Sequence, residues 1–176
     1  VHMQLDFLPL KTNAYIVEGN ALRIDWNDVV DKSKLNFIMG NPPFVGKSFQ
    51  TDSQKDDMKV VFEGVKNYGN LDYVASWYKK CADLMAETNS MTALVSTNSV
   101  CQGIAVPPLW KYLLDRGVVI NFAWPTFKWK SESNDGAAVH CVIIGFSYMK
   151  NRERYIYQEG KAPAKAININ PYLLDA

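Results

Sequence analysis

Asn36-Phe37-Ile38-Met39-Gly40-Asn41-Pro42-Pro43-Phe44 decides how this chain is read. The run from Asn36 to Met39 is short, apolar and bounded by turn signals, the pattern of a strand in a covered sheet. It stops in a polar turn whose two prolines fix φ twice and remove two N–H donors, leaving it stiff and rich in acceptors. The carbonyls of Asn41 and Pro42 and the amide oxygen of Asn41 can converge on one point, with the Phe44 ring beside them. Acceptors next to a ring suit a planar molecule that carries an NH2 group. An exocyclic amine on a purine is a poor nucleophile, because its lone pair is delocalised into the ring. Acceptors that grip both amine hydrogens favour a more tetrahedral nitrogen, and act as preorganised dipoles that strengthen as positive charge develops there. Phe44 can stack on the ring and hold it for in-line attack. No covalent nucleophile is required.

The rest of the composition is that of an ordinary globular domain. The chain has 176 residues, 48% hydrophobic and 21% charged, which suits one domain with a sizeable core. No window approaches eighteen unbroken apolar residues, so no membrane span is expected. The start lacks a charged-then-apolar leader, which points away from secretion. Cys81, Cys101 and Cys141 are odd in number and widely spaced, and read as reduced core thiols of a cytoplasmic protein. A net charge of +1 gives no general pull on DNA, which prefers clustered Lys and Arg. His140 and Cys141 are adjacent rather than at metal-ligand spacing, so no metal is expected.

Taken in order, the chain alternates strand and helix signals. Ala14-Tyr15-Ile16-Val17 is a candidate strand closed by the turn Glu18-Gly19-Asn20. After the motif, Gly40 to Gly46-Lys47-Ser48 resembles a phosphate-binding loop, but five residues separate the glycines where four are needed, and the prolines delete amides that would cradle phosphate. Lys47 and Lys55 are read as solvated lysines, with DNA phosphate contact as the other reading. Thr51 or Asp52 caps a helix carrying Met58, Val61, Phe62 and Val65. Leu71, Val74, Ala75, Tyr78, Cys81, Ala82 and Met85 form a longer helical stripe. Met91 to Thr97 is a buried strand, and Thr97-Asn98-Ser99 closes it at the end where open α/β sheets bind ligands. Pro107 or Pro108 opens a further helix that ends at Gly117, and Val118 to Ala123 is a strand. Trp124-Pro125-Thr126-Phe127-Lys128-Trp129-Lys130, running into 131–136, interleaves aromatics with lysines, as suits a strand beside nucleic acid. Ala138 to Tyr148 is a long apolar strand. Residues 151–176 read as a linker or the start of a further segment, with Tyr155-Ile156-Tyr157 as an edge strand.

Asn41-Pro42-Pro43-Phe44 resembles the Asn-Pro-Pro-aromatic motif of adenine-N6 DNA methyltransferases. The resemblance continues through Leu71-Asp72-Tyr73-Val74-Ala75-Ser76-Trp77-Tyr78, Leu94 to Ser99 and Val139 to Phe146, and covers roughly residues 15 to 148. It is similar to the bacterial methylases that join restriction and modification in one long polypeptide. The resemblance implies an α/β, Rossmann-like, S-adenosylmethionine-dependent fold with a mostly parallel sheet and an antiparallel last strand. Residues 1–150 would then be the target-base half of the catalytic domain, with the N-terminal part missing, since no Phe-x-Gly-x-Gly-like loop occurs. In that family an acidic residue after an early strand accepts a hydrogen bond from the cofactor adenine. Asn20, with Ala21 beside it, holds that position here; the other reading of Asn20 is a turn Asn tolerating unusual φ. Asn41, Pro42, Pro43 and Phe44 would be catalytic. Phe127, or failing it Trp129, would be the second wall around an extruded adenine; packing within the loop is the other reading for each. Val100-Cys101-Gln102 resembles the Pro-Cys-Gln of cytosine-C5 methylases but lacks the Pro, and Cys101 is read as structural.

The implied function is methyl transfer from S-adenosylmethionine to adenine N6 of a base rotated out of double-stranded DNA, in a bacterial cytoplasmic restriction-modification system. Two rivals stand beside it. Release-factor glutamine N5 methylases share an Asn-Pro-Pro-Tyr turn, because a side-chain amide poses the same chemical problem. A non-catalytic DNA-docking fragment is the other, supported by the absent Gly-rich loop. With its neighbour strands absent, Phe37-Ile38-Met39 should expose an unpaired edge open to self-association.

Overall fold

Phe37–Gly40 forms β1 where the motif places it, but the strand is not covered: Phe37 and Met39 are exposed, because a six-stranded sheet grows from β1 in one direction only. The computed structural model describes residues 14–129 and 139–176. The readings of residues 1–13, Lys130, 131–136 and Ala138 fall outside the described residues. β1 pairs in parallel with β2, Met91–Thr97. The sheet continues through β4, Val139–Ser147, then β3, Val119–Trp129, then β5, Arg154–Ile156, and ends at β6, Ala164–Ala166.

The sheet is mixed rather than mostly parallel. β1–β2 and β3–β5 are parallel pairs, whereas β2–β4, β3–β4 and β5–β6 are antiparallel. β1, β2, β3 and β5 nevertheless point the same way. The difference comes from β4, which inserts antiparallel between β2 and β3. It follows β3 after only residues 130–138, too short a connection for the crossover of a dozen or more residues that a parallel neighbour requires.

Three helical segments cover the sheet. Thr51 caps α1, Asp52–Val61, with a complete capping box: its hydroxyl accepts from the Gln54 amide, and the Gln54 side chain accepts from the Thr51 amide. α2, Ala75–Met85, carries Ala75, Tyr78, Cys81, Ala82 and Met85 of the predicted stripe, whereas Leu71 and Val74 lie in the turn before it; all seven are buried. A π-helical turn, Pro107–Lys111, runs into α3, Tyr112–Asp115. Tyr78 stacks on Phe146 at 5.3 Å between ring centroids, and the Trp110 edge meets both rings. The Tyr78 hydroxyl is satisfied by Ser96 Oγ at 2.7 Å, as a buried phenol requires.

Ala14–Val17 is not a strand. Tyr15 and Ile16 lie largely in solvent, because four apolar residues without a ladder partner gain too little from pairing to stay extended in a sheet. Tyr155–Ile156 does join the sheet, but inside it, with β3 on one side and β6 on the other. Residues 151–176 carry β5 and β6 and send Ile169 and Leu173 into the core. Among the described residues no helix is long and apolar enough to cross a membrane.

Candidate active site

Because β1, β2 and β3 run the same way, their carboxyl ends share one edge of the sheet, and the motif turn leaves β1 there. Gly40 permits the exit: a Cβ on it would stand 3.3 Å from Leu94 Cδ2. Asn41 and Pro43 are exposed, Pro42 is buried, and Phe44 is half-buried against the core. The turn is therefore anchored by one proline and one ring while it presents the carboxamide to solvent.

The segment after Phe44 is clipped to the start of the α2 segment. The Tyr73 N–H donates to the Val45 carbonyl at 2.9 Å. The Lys47 N–H donates to Asp72 Oδ1 at 2.8 Å, and Gln50 Nε2 donates to the Leu71 carbonyl at 3.0 Å. From the other side Ser99 Oγ donates to Asp72 Oδ2 at 2.5 Å, and Thr97 Oγ1 lies 2.8 Å from Ser99 Oγ. The loops after β1 and β2 thus meet on one carboxylate.

Phe127 and Trp129 stand at the same edge but not beside the motif turn. They belong to β3, which extends through Trp124–Trp129 with a bulge between Trp124 and Phe127. Phe127 pairs with Cys141, which pairs with Thr97 of β2. Two strands therefore separate β3 from β1, roughly 14 Å of backbone at the ordinary inter-strand spacing. Phe127 and Trp129 tilt against each other with centroids 6.3 Å apart, and Trp129 is 47% exposed.

Asn20 and Ala21 lie apart from both. Asn20 Oδ1 accepts from the Leu22 N–H at 2.9 Å, and its Nδ2 donates to Asp57 Oδ2 at 3.0 Å. Its backbone carbonyl accepts from Arg23 and Ile24, so Asn20 organises a turn, but with an ordinary negative φ rather than the unusual one that the second reading of its position supposes. Ala21 lines a groove of about 410 Å³ beside β1, with Val17, Ile24, Ile38 and Met39 among its walls.

Asp57 is a hub that the sequence reading assigns no role. It is buried, and accepts from Tyr73 Oη at 2.7 Å as well as from Asn20 and Arg23. Burial alone would raise its carboxyl, but the hydrogen bonds from Tyr73, Asn20 and Arg23 outweigh it and hold the group below the usual carboxylate range. Asp57 fixes the turn at Asn20, and its neighbour in the network, Tyr73, adjoins Asp72. The signal for Asp72 lies in the Leu71–Tyr78 stretch, but an Asp before an aromatic does not by itself say which loop it binds.

The thiols are not poised for nucleophilic work. Burial pushes Cys81 up to about 12 and Cys101 up to about 11, and raises Cys141. Cys101 Sγ donates to the Asn98 carbonyl at 3.1 Å, so at neutral pH it stays a protonated packing group. The two lysines singled out in the sequence have modest partners: Lys47 Nζ lies 3.4 Å from Asn70 Oδ1, and Lys55 pairs with Asp52.

Comparison with known proteins places the chain in a family. The family described as MmeI, DNA-methyltransferase domain, matches residues 1–158. DNA methyltransferase A of Bacillus subtilis (strain 168) is 39% identical over 171 residues, which are 96% of this chain and 19% of that protein. The structure of the Type IIL restriction-modification enzyme MmeI in complex with DNA superimposes with a TM-score of 0.87 at 49% identity, covering 96% of this chain and 23% of that one. A modification subunit of a putative type I restriction enzyme from Vibrio vulnificus YJ016 shares the fold, with a TM-score of 0.51 at 15% identity over 82% of this chain and 30% of that one. The chain thus spans about a fifth of the length of the curated relative. It belongs to the MmeI DNA-methyltransferase domain family.

Proposed function

We propose that residues 1–150 supply the target-base half of a restriction-modification methyltransferase that moves a methyl group from S-adenosylmethionine to N6 of an adenine extruded from duplex DNA. The observation that carries this is the Asn41–Phe44 turn, which presents Asn41 to solvent at the carboxyl end of β1 in a chain of this family. Asn41 Oδ1 and a turn carbonyl accept the two amine hydrogens and localise the nitrogen lone pair. Phe44 stacks on the base, and Phe127 or Trp129 closes the other side.

The residues beside β1 fit the methyl donor. Asn20 keeps one acceptor lone pair on Oδ1 and one Nδ2 hydrogen beyond the bonds it makes, and the groove at Ala21 is largely apolar. Asn20 and Ala21 would hold the adenine end of S-adenosylmethionine, which supplies an electrophilic methyl group when bound. Family membership and a solved relative in complex with DNA favour a nucleobase over a glutamine side chain as acceptor. Transfer of a radiolabelled methyl group by the full-length protein tests this. Label recovered as N6-methyladenine is expected; label in glutamine or in cytosine would overturn it.

If the two aromatic walls hold the base, Phe44→Ala and Phe127→Ala should each weaken binding to DNA with a matched adenine by about 1–3 kcal/mol. Binding to DNA with an abasic site should weaken less. Fluorescence anisotropy on the two duplexes checks this; equal losses together with a lowered Tm would show that the rings only pack.

The same arrangement bears on assembly. Among the described residues β1 pairs only with β2, Phe37 and Met39 are 67% and 82% exposed, and no Lys or Pro lies within β1 to discourage pairing. We extend the proposal to self-association of the 176-residue chain through this edge. Light scattering should give a mass that rises with concentration. A mass that stays at that of one chain across concentrations would contradict this.

A further inference from the structure

Asp72 lies half-buried where the loop after β1 meets the turn after β2. Oδ1 receives the Lys47 N–H at 2.8 Å, and Oδ2 receives the Ser99 hydroxyl at 2.5 Å. The next residue repeats the link, since the Tyr73 N–H bonds the Val45 carbonyl. The backbone passes close by at Gly46, where a Cβ would stand 3.7 Å from Asp72 Oδ1. Val45 comes directly after Phe44, and the two prolines before Phe44 leave little slack, so where Val45 is held decides where the motif turn stands.

We propose that Asp72 is a positioning residue for the amine clamp. Its carboxylate ties segment 45–47 to the Thr97–Ser99 turn and so fixes Asn41 and Phe44 relative to the end of β2. This assignment rests on the reading of Asn41–Phe44 as the clamp. Hydrogen bonds to a carboxylate are short and strong, and a misplacement of about 1 Å in a catalytic constellation can cost on the order of a hundredfold in rate.

The chemistry of the site separates positioning from charge. In Asp72→Asn the amide oxygen can still accept the Lys47 N–H. Its NH2 can donate to Ser99 Oγ, whose hydroxyl turns to donate to Thr97 Oγ1, 2.8 Å away. Asp72→Ala removes both links. In the full-length protein, Asp72→Ala is expected to lower kcat by about 10- to 100-fold. KM for the methyl donor should change by less than about threefold, because the donor residues Asn20 and Ala21 lie elsewhere. Amide hydrogen exchange in residues 41–50 should quicken in Asp72→Ala, because a local restraint on that segment is gone. Asp72→Asn should restore both the exchange pattern and most of kcat.

Unchanged exchange in Asp72→Ala, or faster exchange with normal kcat, overturns the proposal. So does Asp72→Asn if it behaves like Asp72→Ala. Should Asp72→Ala fail to fold, Ser99→Ala removes one link alone; it should show the same pattern with a smaller loss, and normal exchange and kcat there overturn the assignment. If wild-type protein methylates an acceptor other than adenine while the two variants still split as described, the acceptor reading fails and the role of Asp72 stands.

Discussion

Asn41→Ala in the full-length protein is expected to lower kcat for methyl transfer by about a hundred- to a thousandfold, the cost of losing one oriented dipole of about 3–4 kcal/mol at the transition state. The effect should fall on the chemical step. Asn41 is exposed beyond the end of β1, and among the described residues its side chain makes none of the bonds that hold the turn; Pro42 and Phe44 anchor the turn, and bonds at Val45, Lys47 and Asp72 clip the segment after Phe44. Its loss should therefore leave Tm nearly unchanged, as for surface substitutions in general. Donor affinity should also hold, since the groove beside β1 is formed by other residues. Single-turnover kinetics on a cognate duplex, with Kd for S-adenosylmethionine measured alongside, checks the split. Near-normal turnover would remove Asn41 from the mechanism. A fall in Tm as large as the fall in rate would mean that the turn is structural.

The parts of this fold legible in the sequence are those whose signals are local. The helix cap at Thr51, one of two candidates, the apolar stripe at Ala75–Met85 and the strand Met91–Thr97 each depend on residues a few positions apart, and each appears where the sequence places it. Ala14–Val17 and Tyr155–Ile156 carry the same apolar, β-prone signal, yet one lies in solvent and the other is a strand paired on both sides. What separates them is whether a partner ladder stands next to them, and composition does not record that. The mixed sheet has the same origin, for it is the insertion of β4 between β2 and β3 that sets the pairing. At the site, the motif turn announces its acceptors through residue type alone. The carboxylates of the two networks do not: Asp72, which holds the segment after the motif, is bonded 25 residues back to Lys47 and 27 residues forward to Ser99, and Asp57, which holds the turn at Asn20, reaches back 37 residues to it.

That hidden hub carries the largest expected effect on stability. Asp57 joins α1 to the turn at Asn20, to Arg23 and to Tyr73. Removing it leaves a buried phenol hydroxyl without its acceptor, which costs about 1–3 kcal/mol, and releases the bonds to Asn20 and Arg23. Arg23 is 43% exposed, so water can take over its charge, and the penalty stays below that of a fully buried broken pair. Asp57→Ala should therefore lose about 2–4 kcal/mol, or about 5–15 °C in Tm for a chain of this size. The pH dependence gives the matching signature. The folded carboxyl sits below its unfolded value of about 3.9, so the stability it contributes is fully present above that value. That stability is lost as pH falls through the folded pKa. Asp57→Asn keeps the shape and removes the charge. Its deficit in Tm relative to wild type should be full at pH 7 and should shrink as both are titrated below about pH 4. Thermal melts of the two proteins from pH 7 to pH 3 measure this. Parallel curves with a constant offset would mean that Asp57 contributes shape alone and that its charge in the folded protein adds nothing.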